Sequence, residues 1–126
     1  MKTFRTHDLA QESSDSNNFT GHARVTRMHG VCDEPAVNIY RVEFEPAART
    51  NWHTHTGPQL LLVTAGRCLV QEWDGPIEEI DTGDVVCIEA NAKHWHGAAR
   101  DGSMTHMAIN IDLKTSWLEK VEEYGV

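Results

Sequence analysis

Two pairs of histidines and one glutamine stand at spacings that suit metal chemistry. His53 and His55 are separated by one residue, Gln59 follows four residues after the second, and His94 and His96 form another pair. Residues i and i+2 of a β-strand lie on the same face, so both rings of a pair can reach one point. Neutral imidazole is the commonest metal ligand in proteins. Three imidazoles and one side-chain oxygen leave open positions on an octahedral ion, which is typical of a catalytic site.

The same residues also have simpler interpretations. An H-x-H pair can arise on any strand with alternating polar residues, and Gln59 could serve only to hydrogen-bond a loop. His106 lies on the polar side of its predicted strand, whereas His7, His22 and His29 are expected to be solvated side chains. Spacing alone therefore favours a metal site without fixing its ligands.

Short apolar segments between residues 22 and 112 are the elements that must position these side chains. Turn-forming residues interrupt them about every eight to twelve positions, which is typical of β-sandwiches and barrels. The clearest breaks fall at residues 32–35, 45–50, 64–66, 73–76, 81–84 and 100–102. We therefore predict one all-β domain over residues 19–126, preceded by a flexible N-terminal arm over residues 1–18.

The phases of two predicted strands indicate which side chains line the interior. In IYRVEFE, Tyr40, Val42 and Phe44 share one face and are predicted to point into the barrel. In THMAINIDL, His106 and Asn110 share a polar face, which we expect to line a cavity. The other face of that strand is apolar and consists of Met107, Ile109, Ile111 and Leu113. Both faces therefore need a partner.

The C-terminal segment TSWLEKVEEYG has the periodicity of a short helix. Trp117, Val121 and Tyr124 would lie on one stripe, and Gly125 would end the helix. This helix, or a second subunit, would cover the apolar face of the last strand. The apolar surface exceeds what a monomer is expected to leave in water, so association of several copies is predicted.

The bulk composition limits the classes of partner. A chain of 126 residues with a formal net charge of -8 is one acidic domain, which repels nucleic acid and anionic membranes. Its N-terminal segment lacks the apolar stretch of a signal peptide, and no run is long enough to span a bilayer. Cys32, Cys68 and Cys87 are interpreted as reduced core residues. We expect a cytoplasmic protein with a small-molecule substrate and no nucleic-acid or membrane partner.

The two histidine segments resemble the two sequence motifs of the cupin family. WHTHTGPQLLLVTAG is similar to the first motif, with Gln59 in the place of the usual acid and Gly66 as the closing glycine. GDVVCIEANAKHWHG is similar to the second, which Gly83 opens and in which His94 is the third histidine ligand. EANA replaces the usual Pro-x-Gly turn of that motif. The resemblance implies the cupin double-stranded β-helix, a jelly-roll barrel, and for a chain of this size it implies a homodimer or homotetramer.

A narrower resemblance comes from ARTNWHTH, GPQLLLVTAG, EEIDTGDVV, KHWHGAA and MTHMAI. Together they are similar to small bacterial cupins with hydroxynitrile lyase activity and to carboxymuconolactone decarboxylase-associated cupins. The resemblance implies one divalent ion, Mn²⁺ first, with Fe²⁺, Ni²⁺ or Zn²⁺ as alternatives. The implied metal ligands are His53, His55, Gln59 and His94. The implied further pocket histidines are His96 and His106.

An amide at position 59 changes the electrostatics expected of such a site. A carboxylate would remove one unit of the ion's positive charge, whereas Gln59 leaves the full charge. One charge at about 4 Å is worth roughly 4 kcal/mol at an effective dielectric near 20. The neutral ligand set therefore predicts a stronger Lewis acid and a poorer reductant, which counts against oxygen activation.

These observations predict a metal-dependent lyase that cleaves cyanohydrins to an aldehyde and cyanide, or forms them. His106 or His96 would act as general base. The predicted substrate pocket includes Tyr40, Val42, Thr50 and Asn110. Tyr40 is larger than the residue that the resemblance leads us to expect, and it would shrink the pocket or donate a proton. The alternatives are a metal-dependent dioxygenase or isomerase of a small oxygenated acid, or a non-catalytic small-molecule-binding cupin.

Overall fold

The computed structural model describes residues 1–122, and the regular secondary structure within this range is almost entirely β-strand. A 3-10 turn, Thr6–Asp8, precedes them. The strands of this range are β1 (Gln11–Ser13), β2 (Phe19–Thr20), β3 (Ala23–Asp33), β4 (Ala36–Phe44), β5 (Arg49–Thr50), β6 (His53–His55), β7 (Gln59–Ala65), β8 (Cys68–Glu72), β9 (Ile77–Ile80), β10 (Val85–Ile88), β11 (His94–Ala98), β12 (Met104–Ile111) and β13 (Thr115–Trp117). The all-β prediction is confirmed.

The strands form two antiparallel sheets with an interior between them. The first sheet has the order β1-β3-β4-β12-β7-β10. In the second, β11 is central, since β6 and β5 pair with it on one side and β8 on the other. Strands β13, β2 and β9 extend this sheet outward. Many neighbouring strands are distant in sequence, as in a jelly roll, so the predicted jelly-roll barrel is confirmed.

The interior side chains follow the predicted phases. Tyr40, Val42 and Phe44 of β4 line a cavity between the sheets, together with His106 and Asn110 of β12. Around this cavity, apolar residues close the interior. One buried cluster consists of Ala23, Val25, Val42, Phe44, Ala48, Val63, Cys68, Ala98 and Met104, and another of Leu61, Val70, Ile88 and Ala108.

The outer face of the second sheet carries a third apolar cluster. Trp95 alternates with the inward-facing His94 and His96, so it faces outward, where it packs with Trp52 and Val121 among others. The Trp95 indole N–H donates to the Gln71 side-chain oxygen at 2.8 Å. The two tryptophans beside the histidines therefore have a packing role and support the ligand strands from behind.

The predicted C-terminal helix is wrong over the residues that the structure describes. Thr115–Trp117 is strand β13, which pairs with β6, and residues 118–122 contain no helix. The unpaired edge of β6 accepts a strand, and this tertiary pairing overrides the local helical periodicity. The predicted contributions of Tyr124 and Gly125 lie outside the described residues.

The N-terminal segment is joined to the barrel at several places, since Lys2 donates to Asp33 at 3.0 Å and the Asn51 backbone N–H donates to the Asn18 carbonyl at 2.8 Å. Gln11–Ser13 pairs with β3 at the edge of the first sheet. The flexibility predicted for the arm over residues 1–18 stays a prediction.

The cysteines are free, but their positions differ from the expected core placement. Cys68 is fully buried, as predicted, whereas Cys32 and Cys87 are exposed, so the core prediction is wrong for these two. Cys87 pairs with Leu60 on the outward face of the first sheet.

None of the helices found between residues 1 and 122 has the length and hydropathy needed to cross a membrane.

Candidate metal centre

Four predicted ligands meet inside the barrel from opposite sheets. His53 and His55 come from β6 and His94 from β11 of the second sheet, whereas Gln59 comes from β7 of the first. All four side chains are buried. The ring centre of His53 lies 4.2 Å from that of His94 and 4.9 Å from that of His55. The i, i+2 spacing thus places both imidazoles of β6 on the interior face.

Hydrogen bonds on the far side of each ring define which nitrogen is free. The Nδ1–H of His53 donates to the Asn51 carbonyl, and that of His94 donates to the Ala92 carbonyl, each at 2.8 Å. A carbonyl can only accept, so Nδ1 carries the proton and Nε2 keeps its lone pair. The His55 Nδ1 lies 2.8 Å from the Thr115 hydroxyl. Such outer contacts are typical of metal-binding histidines.

The amide of Gln59 is oriented in the same way. Its Nε2–H donates to Asn110 Oδ1 at 2.7 Å, which turns its Oε1 toward the histidines. This oxygen lies 3.4 Å from His94 Nε2. Two acceptor atoms, Gln59 Oε1 and His94 Nε2, therefore face each other with no proton between them. A cation would satisfy both.

The imidazoles are held in the neutral form that metal binding requires. Burial lowers the pKa of His94 to about 4 and lowers the pKa of His53 well below its ordinary value. Burial also lowers the pKa of His55. Its Nε2 is buried and has no protein partner among the described residues. A buried ring nitrogen without a protein partner, beside two further acceptors, fits a divalent cation bound by neutral donors.

A second set of possible ligands overlaps the first. One possible ligand nitrogen from each of His53, His94 and His96 lies within 4.8 Å of the other two. This cluster could hold a metal ion, and it contains His96 in place of His55. The two sets share His53 and His94, so these two imidazoles belong to either arrangement.

The remaining pocket histidines form a hydrogen-bonded pair. His106 Nε2 lies 2.9 Å from His96 Nδ1, so one proton is shared between the two rings. Both rings are buried, and the outer nitrogens, His96 Nε2 and His106 Nδ1, have no partner among residues 1–122. Burial lowers the pKa of His106 to about 4, and burial together with the nearby His106 lowers the pKa of His96 well below its ordinary value. Two neutral bases thus adjoin the possible ligands.

The cavity in front of these histidines has a volume of about 310 Å³. This is within the size range of small-molecule sites. The structure places all four residues predicted for the substrate pocket, Tyr40, Val42, Thr50 and Asn110, in its lining. Thr50 has a further contact, since its hydroxyl accepts the backbone N–H of His96 at 3.2 Å. A neighbouring cavity of about 350 Å³ shares Tyr40, Asn110 and Thr115 with the first.

The loop before His94 keeps its turn although EANA replaces the expected Pro-x-Gly. Asn91 has φ of 68°, the left-handed region that glycine would otherwise occupy and that asparagine tolerates better than most residues. Its N–H donates to the His55 carbonyl at 2.7 Å. Asn91 therefore connects the two ligand segments, and Ala92 remains placed to orient His94.

Sequence reasoning missed several residues of the site. The helical periodicity predicts a helix for Thr115 and Trp117, but both residues contact the site. The Thr115 hydroxyl lies 2.8 Å from His55 Nδ1, and the ring centre of Trp117 lies 4.7 Å from that of His53. Arg27 also lines the cavity. The alternation of Ala23, Val25 and Arg27 along β3 was an available signal for Arg27, but no local signal identifies Thr115 because its strand exists only through pairing with β6.

The fold and the histidine cluster together define the class of protein. The family model described as the cupin domain matches residues 40–110, more than half of the chain. The chain therefore belongs to the cupin family.

Individual relatives narrow the comparison. The chain is 41% identical to the (R)-mandelonitrile lyase of Granulicella tundricola, over 98% of this chain and 96% of that protein. Among solved structures it resembles a cupin-like protein from Thermotoga maritima, with a TM-score of 0.82 and 39% identity over 88% of this chain and 86% of that one. The polyketide cyclase RemF from Streptomyces resistomycificus matches with a TM-score of 0.74 and 16% identity over 99% of this chain and 88% of that one. At this low identity, the match supports the fold alone.

Proposed function

We propose that this cupin is a metal-dependent hydroxynitrile lyase, which cleaves a cyanohydrin to an aldehyde and cyanide and also catalyses the reverse addition. The observation that carries the proposal is the pair of facing acceptors, Gln59 Oε1 and His94 Nε2, beside a second pair of neutral histidines. The 41% identity to a mandelonitrile lyase over nearly the full length supports the same reaction class.

The proposed ligands are His53, His55, Gln59 and His94, and the proposed ion is Mn²⁺, with Fe²⁺, Ni²⁺ or Zn²⁺ as alternatives. We prefer a ligand role for Gln59 to a purely structural one because its oxygen is turned toward His94. A divalent cation bound there would supply Lewis acidity toward the substrate hydroxyl. Because all four donors are neutral, they would leave the charge of the ion undiminished.

The protein's own bases would move the proton of the substrate hydroxyl. His106 or His96 would accept it, since burial keeps both rings neutral and the 2.9 Å contact lets a proton pass between them. Breaking the carbon–carbon bond then leaves an aldehyde and cyanide. The protonated histidine pair would return the proton to cyanide, which completes the cycle without an external acid.

The test is release of benzaldehyde from mandelonitrile by manganese-loaded protein, with chelated protein as the reference. We expect turnover that depends on the metal and that falls by at least about a hundredfold in His106→Gln, as for loss of a general base. The matched control is His7→Gln, which changes an exposed histidine outside the cavity lining. A rate no higher than that of the chelated protein would contradict the lyase proposal.

Two other results would indicate the alternative functions. Oxygen consumption by iron-loaded protein with a phenol or dione would indicate a dioxygenase, and ligand binding without turnover would indicate a binding module.

A further inference from the structure

One residue of the cavity lining carries a full positive charge. Arg27 on β3 lines the same cavity as His53, His55 and His106. It pairs with Tyr40 across the first sheet, and its guanidinium carbon lies 5.9 Å from the centre of the Tyr40 ring. Among the described residues that line this cavity, no other lysine or arginine occurs.

The guanidinium of Arg27 is available to a ligand. Its Nε lies 3.4 Å from Glu12, and the two side chains are 44% and 60% exposed. An exposed ion pair of this kind contributes little, so a ligand can replace it. Asp15, the acid in the cavity lining, already accepts the backbone N–H of Asn17 at 2.9 Å. Arg27 thus presents planar, paired donors that suit a carboxylate.

The opposite end of the cavity also favours negative charge. The proposed ligand set, His53, His55, Gln59 and His94, contains no acid. A divalent ion held there keeps its full charge, so an anionic substrate would be attracted from both ends of the cavity.

The distance between the Arg27 end of the cavity and the Gln59 end suits a small organic molecule. Strands β3 and β7 are three strand spacings apart in the first sheet, which is about 14 Å between backbones. The side chains of Arg27 and Gln59 both extend into this span. In the row that starts at Arg27, Tyr40 and Ala108 lie on the intervening strands, and Val42 lies beside that row. The arrangement fits a molecule with an oxygen function at one end, an apolar middle and a carboxylate at the other.

We propose that Arg27 determines specificity by binding a carboxylate at the end of the substrate remote from the reacting carbon. The substrate class would then be hydroxynitriles whose aldehyde portion carries a carboxylate. The identity of the reacting group rests on the proposed function, whereas the preference for a carboxylate does not.

The kinetic test compares two hydroxynitriles, those of 4-carboxybenzaldehyde and of benzaldehyde, on the manganese-loaded protein. We expect kcat/KM to be at least about tenfold higher for the carboxylated compound, which is the effect of one charge-assisted hydrogen bond. Arg27→Gln should remove this preference by lowering kcat/KM more for the carboxylated compound than for the neutral one, and Arg27→Lys should retain part of it. Equal losses for both compounds in Arg27→Gln, or no preference in the unaltered protein, would overturn the proposal.

A binding experiment separates this inference from the lyase proposal. Calorimetry would compare 4-carboxybenzyl alcohol with benzyl alcohol, neither of which is a hydroxynitrile. Preference for the carboxylated alcohol, lost in Arg27→Gln, would support the role of Arg27 even if no hydroxynitrile were turned over. Turnover of hydroxynitriles with equal binding of the two alcohols would leave the lyase proposal standing and overturn this one.

Arg24 provides a matched control on the same strand. It pairs with Glu43 at 3.7 Å and is absent from the described cavity lining. Arg24→Gln makes the same change in net charge as Arg27→Gln, but both alcohols should bind to it as to the unaltered protein. If Arg24→Gln weakens the carboxylated ligand equally, net charge and not the position of Arg27 is responsible, and the proposal fails.

Discussion

At the scale of single residues, the site is defined by where each donor atom already has a partner. Backbone carbonyls take the Nδ1–H of His53 and His94, and Asn110 takes the amide N–H of Gln59. These contacts direct two lone pairs and one amide oxygen to a common region. Because a buried acceptor without a donor costs free energy, a cation bound between them would explain the arrangement.

Gln59→Glu tests the importance of a neutral donor set. The carboxylate should keep the metal, because it is also an oxygen ligand, but should lower kcat for hydroxynitrile cleavage by at least about tenfold through reduced Lewis acidity. Metal content by elemental analysis and benzaldehyde release would be measured on the same sample. Gln59→Glu with full activity would show that the charge of the site is unimportant.

The buried histidines should make the metal-free protein acid-sensitive. Burial lowers the pKa of His94 and of His106 to about 4, whereas both take up a proton near 6.5 when the chain unfolds. The unfolded state therefore binds more protons between pH 6.5 and 4. The free energy of unfolding should fall with decreasing pH by about 1.4 kcal/mol per pH unit for each such group.

Denaturant titrations at pH 7, 6 and 5 would measure this slope. His106→Gln should reduce it, whereas His7→Gln, which changes an exposed side chain, should not. An unchanged slope in His106→Gln would show that this imidazole is not buried in its neutral form.

At the scale of elements, β13 has a direct role in the site. It pairs with β6 and brings Thr115 to His55, so the C-terminal segment completes the support of a proposed ligand. Thr115→Val keeps the shape of the side chain but removes the hydroxyl. Metal affinity should fall by about 10–100-fold, the usual effect of losing such a contact.

Competition with a fluorescent chelator would measure that affinity. The matched control is Ser116→Ala, which removes a hydroxyl from the next residue of the same strand, where the side chain is exposed. If Thr115→Val binds the metal as tightly as Ser116→Ala does, then Thr115 does not support His55.

The elements also show how much of the site could be predicted from the sequence. Alternation along β4, β6, β11 and β12 was sufficient to place Tyr40, His53, His94 and His106 on interior faces, because strand periodicity depends only on local geometry. The helical periodicity of TSWLEKVEEYG was misleading because the pairing of Thr115–Trp117 with β6 is a long-range contact. Gln59 and His94 face each other from two different sheets, which is also a long-range arrangement. Their proximity was therefore indicated by the resemblance to the family motifs and not by their spacing in the sequence.

At the scale of the whole molecule, the outer face of the first sheet carries an apolar patch. Ile109 is flanked by Ile39 and Leu60 on neighbouring strands, and Val85 is 60% exposed. The helix expected to cover this face is absent from residues 115–122. We therefore expect a second copy to cover it, because two identical apolar faces are self-complementary about a two-fold axis.

Ile109→Lys should convert the predicted homodimer or homotetramer to a smaller species, because it places a charge in the centre of that face. Light scattering coupled to size-exclusion chromatography would measure the mass. Ser116→Lys, which places the same charge on the other sheet, should leave the mass unchanged. A monomeric unaltered protein would contradict the expectation.

The most direct test of the account is anomalous diffraction at the manganese edge from crystals grown with Mn²⁺. We predict a single anomalous peak per chain, within coordination distance of Gln59 Oε1 and of Nε2 of His53, His55 and His94. No peak inside the barrel, or a peak bound by His96 with Gln59 and His55 turned away, would contradict it.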